Sequence, residues 1–140
     1  MAVERTLSII KPDAMAKGVA GHIIQTFLDN GITIKAMKLM HLTRSQAEGF
    51  YYVHKERPFF GSLCEFMTSG PVILMCLEGD NVIKRNRELM GPTNSEQAPP
   101  DTLRGRFGTN IERNACHGSD APETAAFELS YFFAELEMVG

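Results

Sequence analysis

The chain is short of the features that mark several large protein classes. No apolar run approaches the ~20 residues of a membrane span, and the longest, Val72 to Leu77, is strand-sized. Met1-Ala2-Val3-Glu4-Arg5 lacks the basic-then-apolar layout of a signal peptide. Only three cysteines occur, Cys64, Cys76 and Cys116, an odd number in apolar surroundings with no CxxC spacing. Free thiols in a reducing compartment are the simplest account of them, so the expected location is the cytoplasm. There is no GxxxxGK[ST] and no GxGxxG after a strand, which removes the P-loop and the dinucleotide-binding turn. No GxSxG supports a serine hydrolase. Four scattered histidines, with no cysteine or carboxylate at ligand spacing, argue against a structural zinc site.

What is present suits one globular domain spanning 1–140, long enough to bury roughly 68–70% of its unfolded surface. The net charge of −3 opposes a protein made mainly for nucleic acid. Charge is unevenly spread. Residues 80–113 hold six basic and five acidic side chains, and the remainder holds eight against twelve. The region ahead of His117 is thus the least acidic part of an acidic chain, which fits a small anionic ligand better than a long polyanion.

Taken in order, Val3 to Lys11 reads as a strand with Leu7 and Ile9 on one face. Lys11 shares their parity, and Pro12 ends the strand beside it. Such a lysine either snorkels to solvent or points into a cleft. Gly18 to Asn30 has helical spacing with a stop at Gly31, and Ile32 to Met40 follows as a strand whose Met37, Leu39 and Met40 are expected in the core. Thr43 and Gln46 make a capping box for a helix carrying Ala47, Phe50, Tyr51 and His54. A further helical stretch runs from Pro58-Phe59-Phe60 to Met67. The adjacent rings cannot share a face, so one of them is free to line a groove. Val72 to Leu77 reads as a central strand, Glu78-Gly79 as a turn, and Asp80 as the cap of a short helix with Arg87 in its last turn.

Periodicity fails from Gly91 to Arg113, and a 23-residue loop in a compact domain is usually functional or disordered. Its prolines argue for order, and Arg104 and Arg106 suit an anion. A short strand then leads into His117, followed by a helix capped by Asp120 with Glu123, its buried stripe formed by Ala125, Leu129, Phe132 and Leu136. Glu128 lies at the edge of that stripe, either as a solvated border residue or as a carboxylate that orients His117. His117 itself reads either as part of a polar surface turn or as a nucleophile beside an anion site, since its unperturbed pKa of about 6.5 leaves a neutral fraction at neutral pH. Four strands interleaved with helices indicate an α+β sandwich.

The segment Asn114-x-x-His117-Gly118-Ser119-Asp120 resembles the active-site signature of the nucleoside diphosphate kinase family. Thr6-Leu7-Ser8-Ile9-Ile10-Lys11-Pro12-Asp13, Arg57-Pro58-Phe59-Phe60, Ser69-Gly70-Pro71-Val72, Gly91-Pro92-Thr93-Asn94 and Thr102-Leu103-Arg104-Gly105 extend the likeness essentially end to end. Arg106 departs from the acidic residue many relatives carry, and Pro92 stiffens a turn where they usually have another residue. With the chain stopping at Gly140, the likeness is to the short bacterial form.

The resemblance implies a ferredoxin-like βαββαβ sandwich with a four-stranded antiparallel sheet, the two middle helices being an insertion. It implies transfer of the γ-phosphate of ATP and other nucleoside triphosphates to nucleoside diphosphates by a ping-pong route through a phosphohistidine on His117, maintaining NTP and dNTP pools. Lys11, Tyr51, Arg87, Thr93 and Arg104 would hold the phosphates, bridged by Mg²⁺ that the phosphates themselves carry. Phe59 would stack on the base, Ile111 would line the base site, and Asn114 would bond the sugar. Glu128 and Ser119 would set the histidine, and Lys11 would also serve catalysis. A homo-oligomer, tetramer or hexamer, is expected, with no membrane and with nucleic acid at most a secondary partner. The rivals are a nucleotide- or nucleic-acid-binding regulator on the same fold and a histidine phosphocarrier. The intact histidine and the phosphate cations oppose the first, and Phe59, Thr93 and Arg104 oppose the second.

Overall fold

The computed structural model describes residues 3–139. The strands β1 (Val3–Ile10), β2 (Thr33–Met40), β3 (Val72–Asp80) and β4 (Cys116–Gly118) form a sheet of spatial order β2-β3-β1-β4, every neighbouring pair antiparallel. Two helices pack on one face, α2 (Ala20–Asp29) and α5 (Val82–Met90), through Ile23, Phe27, Val82 and Met90 against Ile10, Met75, Leu77 and Cys116. The other face is covered by α3 (Arg44–Phe50), α4 (Phe60–Met67) and α7 (Pro122–Phe132), where Phe50, Met67 and Phe132 meet Leu7, Ile9, Leu74 and Cys76. Period-two alternation along β1 and β3 feeds both layers, because side chains of successive parity go to opposite cores. The βαββαβ order is as expected, with α3 and α4 inserted between β2 and β3.

Local chemistry explains most boundaries. Gly31 adopts φ +72 at the end of α2, a left-handed stop that a Cβ would disfavour. Thr43 Oγ1 accepts the Gln46 N–H at 3.2 Å and Gln46 Oε1 accepts the Thr43 N–H at 2.8 Å, the reciprocal box expected for α3.

Several expectations are corrected. Pro12 ends β1 and also opens a helix, α1 (Pro12–Ala16), since its fixed φ suits a first helical turn. Glu78 and Gly79 do not turn; they continue β3 opposite Arg5 and Glu4. The turn comes at Asn81 (φ +52), which replaces Asp80 as the residue before α5. Met37 and Leu39 are 47% and 69% exposed rather than core. A bulge between Ile34 and Ala36 shifts the register of β2, so Ile34 packs on one core and Ala36 on the other. Every later side chain of this edge strand changes face, which leaves Met37 and Leu39 beyond the covering helices. The N-cap of α7 is Ala121, not Asp120, and the N3 side chain is Thr124, whose hydroxyl accepts the Ala121 N–H at 3.0 Å. Leu136 lies past the end of α7 and is exposed; Phe133 takes its expected place in the core.

The stretch 91–113 is ordered. It holds a 3₁₀ turn at Ser95–Gln97 and a short helix, α6 (Leu103–Phe107), which buries Leu103 and Arg104. Lys17 Nζ donates to Phe107 O at 2.7 Å and to Thr109 Oγ1 at 3.0 Å, tying this stretch to the end of α1. No helix among the described residues is long and apolar enough to cross a membrane.

Candidate active site

The short edge strand β4 is the element that aims His117. Cys116 faces the core under α5, so the alternation of the strand sends the His117 ring to the other side, towards α3 and α7. There the ring meets the Phe50 edge at a centroid distance of 5.6 Å and an interplanar angle of 78°. Gly118 follows because α5 passes close behind it: a Cβ there would lie 2.3 Å from Asn86 Nδ2.

One edge of the imidazole is held by α7. Glu128 Oε1 lies 2.9 Å from His117 Nε2 and accepts the Ser119 hydroxyl at 2.7 Å. Ser119 Oγ in turn accepts the Leu7 N–H at 3.2 Å. A carboxylate can only accept, so the proton is assigned to Nε2 and the lone pair to Nδ1. The half-buried Glu128 thus bonds His117 and Ser119 rather than standing free in solvent.

His117 opens into a cavity of about 560 Å³. Its wall brings together Lys11, Tyr51, Phe59, Arg87, Thr93, Arg104, Ile111, Asn114 and Glu128, residues drawn from six separate stretches of the chain. Ser119 stands behind the wall, touching Glu128. The eleven side chains that the resemblance implies are thus gathered around one space, whereas Arg106, which also suited an anion, does not line it.

The cations differ in setting. Lys11 is buried, and its Nζ donates to Asn114 Oδ1 at 2.8 Å, so it points into the cleft rather than snorkelling. Burial, reinforced by the nearby Arg104 charge, lowers its pKa to about 8. Arg104 donates to Gly91 O and to Cys116 O, both at 3.0 Å, and burial lowers its pKa also, though a guanidinium stays charged. Arg87 is exposed on the last turn of α5. The Tyr51 hydroxyl is buried without a partner among the described residues, and burial followed by the Glu128 charge pushes its pKa well up, so it remains a donor. Phe59 and Ile111 are 46% and 62% exposed on the cavity wall, where a flat ligand could rest between an aromatic and an aliphatic surface. Burial pushes Cys116 up to about 11, so the thiol beside His117 stays protonated.

Some participants were not singled out from the sequence. His54, Met90, Glu112 and Thr124 also line the cavity. Asn114 does more than face it: its Nδ2 donates to Thr93 O at 3.0 Å and to Ile111 O at 3.1 Å, fastening both ends of the long loop to the site. Asp13 accepts the Ala115 N–H at 3.0 Å from behind. A carboxylate directly after a strand-ending proline was the only available signal for it.

Comparison with known proteins agrees with this geometry. The family model described as nucleoside diphosphate kinase matches residues 4–138. A nucleoside diphosphate kinase of Desulforapulum autotrophicum is 60% identical over 99% of this chain and 100% of its own length. The structure of the Aquifex aeolicus nucleoside diphosphate kinase superposes with a TM-score of 0.97 at 52% identity, covering 99% of this chain and 100% of that one. A halophilic nucleoside diphosphate kinase from Halobacterium salinarum, solved in complex with CDP, gives a TM-score of 0.96 at 35% identity over 99% and 93% of the two chains. With its fold, its full-length matches and its histidine-centred cavity in agreement, the chain belongs to the nucleoside diphosphate kinase family of phosphotransferases.

Proposed function

We propose that the chain moves the γ-phosphate of a nucleoside triphosphate to a nucleoside diphosphate in two steps through a phosphohistidine on Nδ1 of His117. The observation that carries this reading is the pairing of His117 Nε2 with Glu128 beside a cavity walled by three cations, which in the neutral ring places the lone pair on Nδ1. In the first step the Nδ1 lone pair attacks phosphorus, and the bond to the bridging oxygen breaks. The diphosphate leaves with that electron pair. The phosphorylated imidazole keeps its Nε2 proton, and the Glu128 carboxylate offsets the positive charge that forms. In the second step a terminal oxygen of the incoming diphosphate attacks, the P–N bond breaks, and the lone pair returns to Nδ1. One cavity serves both nucleotides in turn.

The remaining side chains take roles by their chemistry. Arg87, Arg104, Lys11, Thr93 and the Tyr51 hydroxyl would hold the phosphates, where charge spreads over the transferring group. Asn114 would bond the sugar end, with Ser119 keeping Glu128 in place. Phe59 and Ile111 would clasp the base. Stacking reads a π face rather than a donor pattern, so selectivity among bases should be poor, which suits upkeep of mixed NTP and dNTP pools.

Among the described residues no group of three or more His, Cys, Asp or Glu side chains is placed to hold a metal. The cationic, hydroxyl-bearing wall fits Mg²⁺ carried on the nucleotide phosphates rather than on the chain. When bound, Mg²⁺ neutralises and orients those phosphates. Self-association as a tetramer or hexamer in the cytoplasm belongs to the same reading; the exposed Met37 and Leu39 on the edge strand β2 support an apolar contact there. The acidic net charge leaves nucleic acid as a secondary partner at most.

The kinetic test varies donor and acceptor together. Parallel double-reciprocal lines, with ADP–ATP exchange in the absence of a second nucleotide, are expected. Intersecting lines without that exchange would mean direct transfer in a ternary complex.

A further inference from the structure

Two residues ahead of His117, the backbone is strained. Ala115 adopts φ +76, left-handed and costly for a residue with a Cβ. The Cys116 N–H donates to Asn114 O at 2.9 Å, which closes a three-residue γ-turn around it. Such turns with positive φ are rare, and this one is fully buried. Something must hold it. Ala115 O accepts the Lys11 N–H at 2.9 Å, and the Ala115 N–H donates to Asp13 Oδ2 at 3.0 Å. Both polar groups of the strained peptide are therefore satisfied by the segment that ends β1 and begins α1.

Asp13 takes no part in the catalytic cavity. It lines a separate hollow of about 370 Å³ behind the turn, with Phe66, Ser69 and Arg113. Its other oxygen, Oδ1, is buried and has no partner among the described residues. A buried carboxylate committed to a single backbone N–H is an expensive device for stability alone. Its effect is local, since the turn it holds lies between Asn114 and β4, and both flanks project into the site.

We propose that Asp13 is a positioning residue: by clamping the Ala115 N–H it keeps the γ-turn closed, and through that turn it aims Asn114 and His117 into the nucleotide cavity. The proposal rests on the reading of His117 as nucleophile. Without the carboxylate the buried Ala115 N–H is orphaned, and Ala115 relaxes to negative φ. The direction of the chain entering β4 then changes. A shift of about 1 Å at the reacting atom is enough to cost on the order of 100-fold in rate.

The test follows single-turnover phosphorylation of His117 by ATP, together with hydrogen exchange at the Ala115 amide. Asp13→Ala is expected to slow phosphorylation by about 100-fold and to speed Ala115 exchange. Asp13→Asn keeps an acceptor oxygen at the same place and should recover most of the loss and the amide protection. Adding Ala115→Gly to Asp13→Ala should regain about tenfold or more, because glycine adopts positive φ without steric cost. Phosphorylation at the wild-type rate in Asp13→Ala overturns the proposal. So does a loss that neither Asp13→Asn nor Ala115→Gly lessens, which would make Asp13 a general support of the fold. If Asp13→Ala does not fold, Asp13→Asn decides: a loss as deep as that of His117→Ala overturns the clamp. Should wild-type protein form no phosphohistidine, the reading of His117 fails on its own, and unchanged Ala115 exchange in the Asp13 variants would separately defeat the clamp.

Discussion

Glu128 reaches across from α7 to His117 on β4, and the 2.9 Å contact between Oε1 and Nε2 assigns the proton of the neutral ring to Nε2. On the proposed route its charge would matter as well as its shape, because the imidazole would become cationic when Nδ1 is phosphorylated. Glu128→Gln keeps the outline and removes the charge. By analogy with other carboxylates that orient a functional histidine, it should slow His117 phosphorylation by about 10- to 100-fold, with a smaller change in nucleotide affinity. Rapid-quench phosphorylation measures the rate. An unaltered rate would show that the carboxylate charge is unused.

Arg104 is buried yet faces the cavity, with two of its nitrogens already bonded to backbone carbonyls. Its arrangement is preorganised, so it adds charge without having to reorder. Arg104→Ala should lower kcat/KM by the equivalent of about 2.7–4 kcal/mol, the scale of losing one fixed donor to a transition-state anion. Steady-state kinetics with saturating Mg²⁺ reads this directly. A change below threefold would remove Arg104 from the site.

Lys11 supplies a pH dependence. Its folded pKa is lowered to about 8, from an ordinary 10.5, first by burial and then by Arg104. Below about pH 8 the lysine is charged in both folded and unfolded chains, and folding bears the whole burial cost. Between 8 and 10.5 the unfolded chain holds a proton that the folded one has released, so this residue's contribution makes stability rise with pH across that window. In the proposed role of Lys11 function would move the opposite way: the free enzyme would lose a phosphate-attracting charge above about pH 8, so kcat/KM should fall there. Lys11→Met should lack that limb. A profile falling identically in both proteins would assign the limb to another group.

Gly118→Ala tests the close approach of α5 to β4. The added methyl would lie 2.3 Å from Asn86 Nδ2 and 2.8 Å from Met90 Cε, both on a buried helix face. Overpacking of this kind costs about 1–3 kcal/mol. Chemical denaturation should show a loss of that size, and a neutral result would mean that α5 can shift.

Much of the site was legible through short motifs spread along the chain: the signature around His117, the motif that ends the first strand at Lys11, and Arg104 of the long loop. Glu128 stood out as a carboxylate on an apolar stripe, although spacing alone could not separate orientation from solvation. The bulge in β2 was invisible, since a single extra residue reverses parity without altering composition, and Met37 and Leu39 were misplaced for that reason. Leu136 fitted the helical period but lay beyond the point where α7 ends, at Phe132. Asp13 was hidden differently. Its partner, the Ala115 N–H, is 102 residues away and is a backbone atom, for which no residue type gives a sign.

On the proposed route His117 carries the phosphoryl group between nucleotides. The most direct measurement is incubation with γ-labelled ATP and Mg²⁺ without an acceptor, followed by acid and base treatment of the protein. Acid-labile, base-stable label is expected on His117, absent from His117→Ala and discharged by GDP or UDP. A protein that binds nucleotide and exchanges phosphate yet takes up no such label would contradict that route.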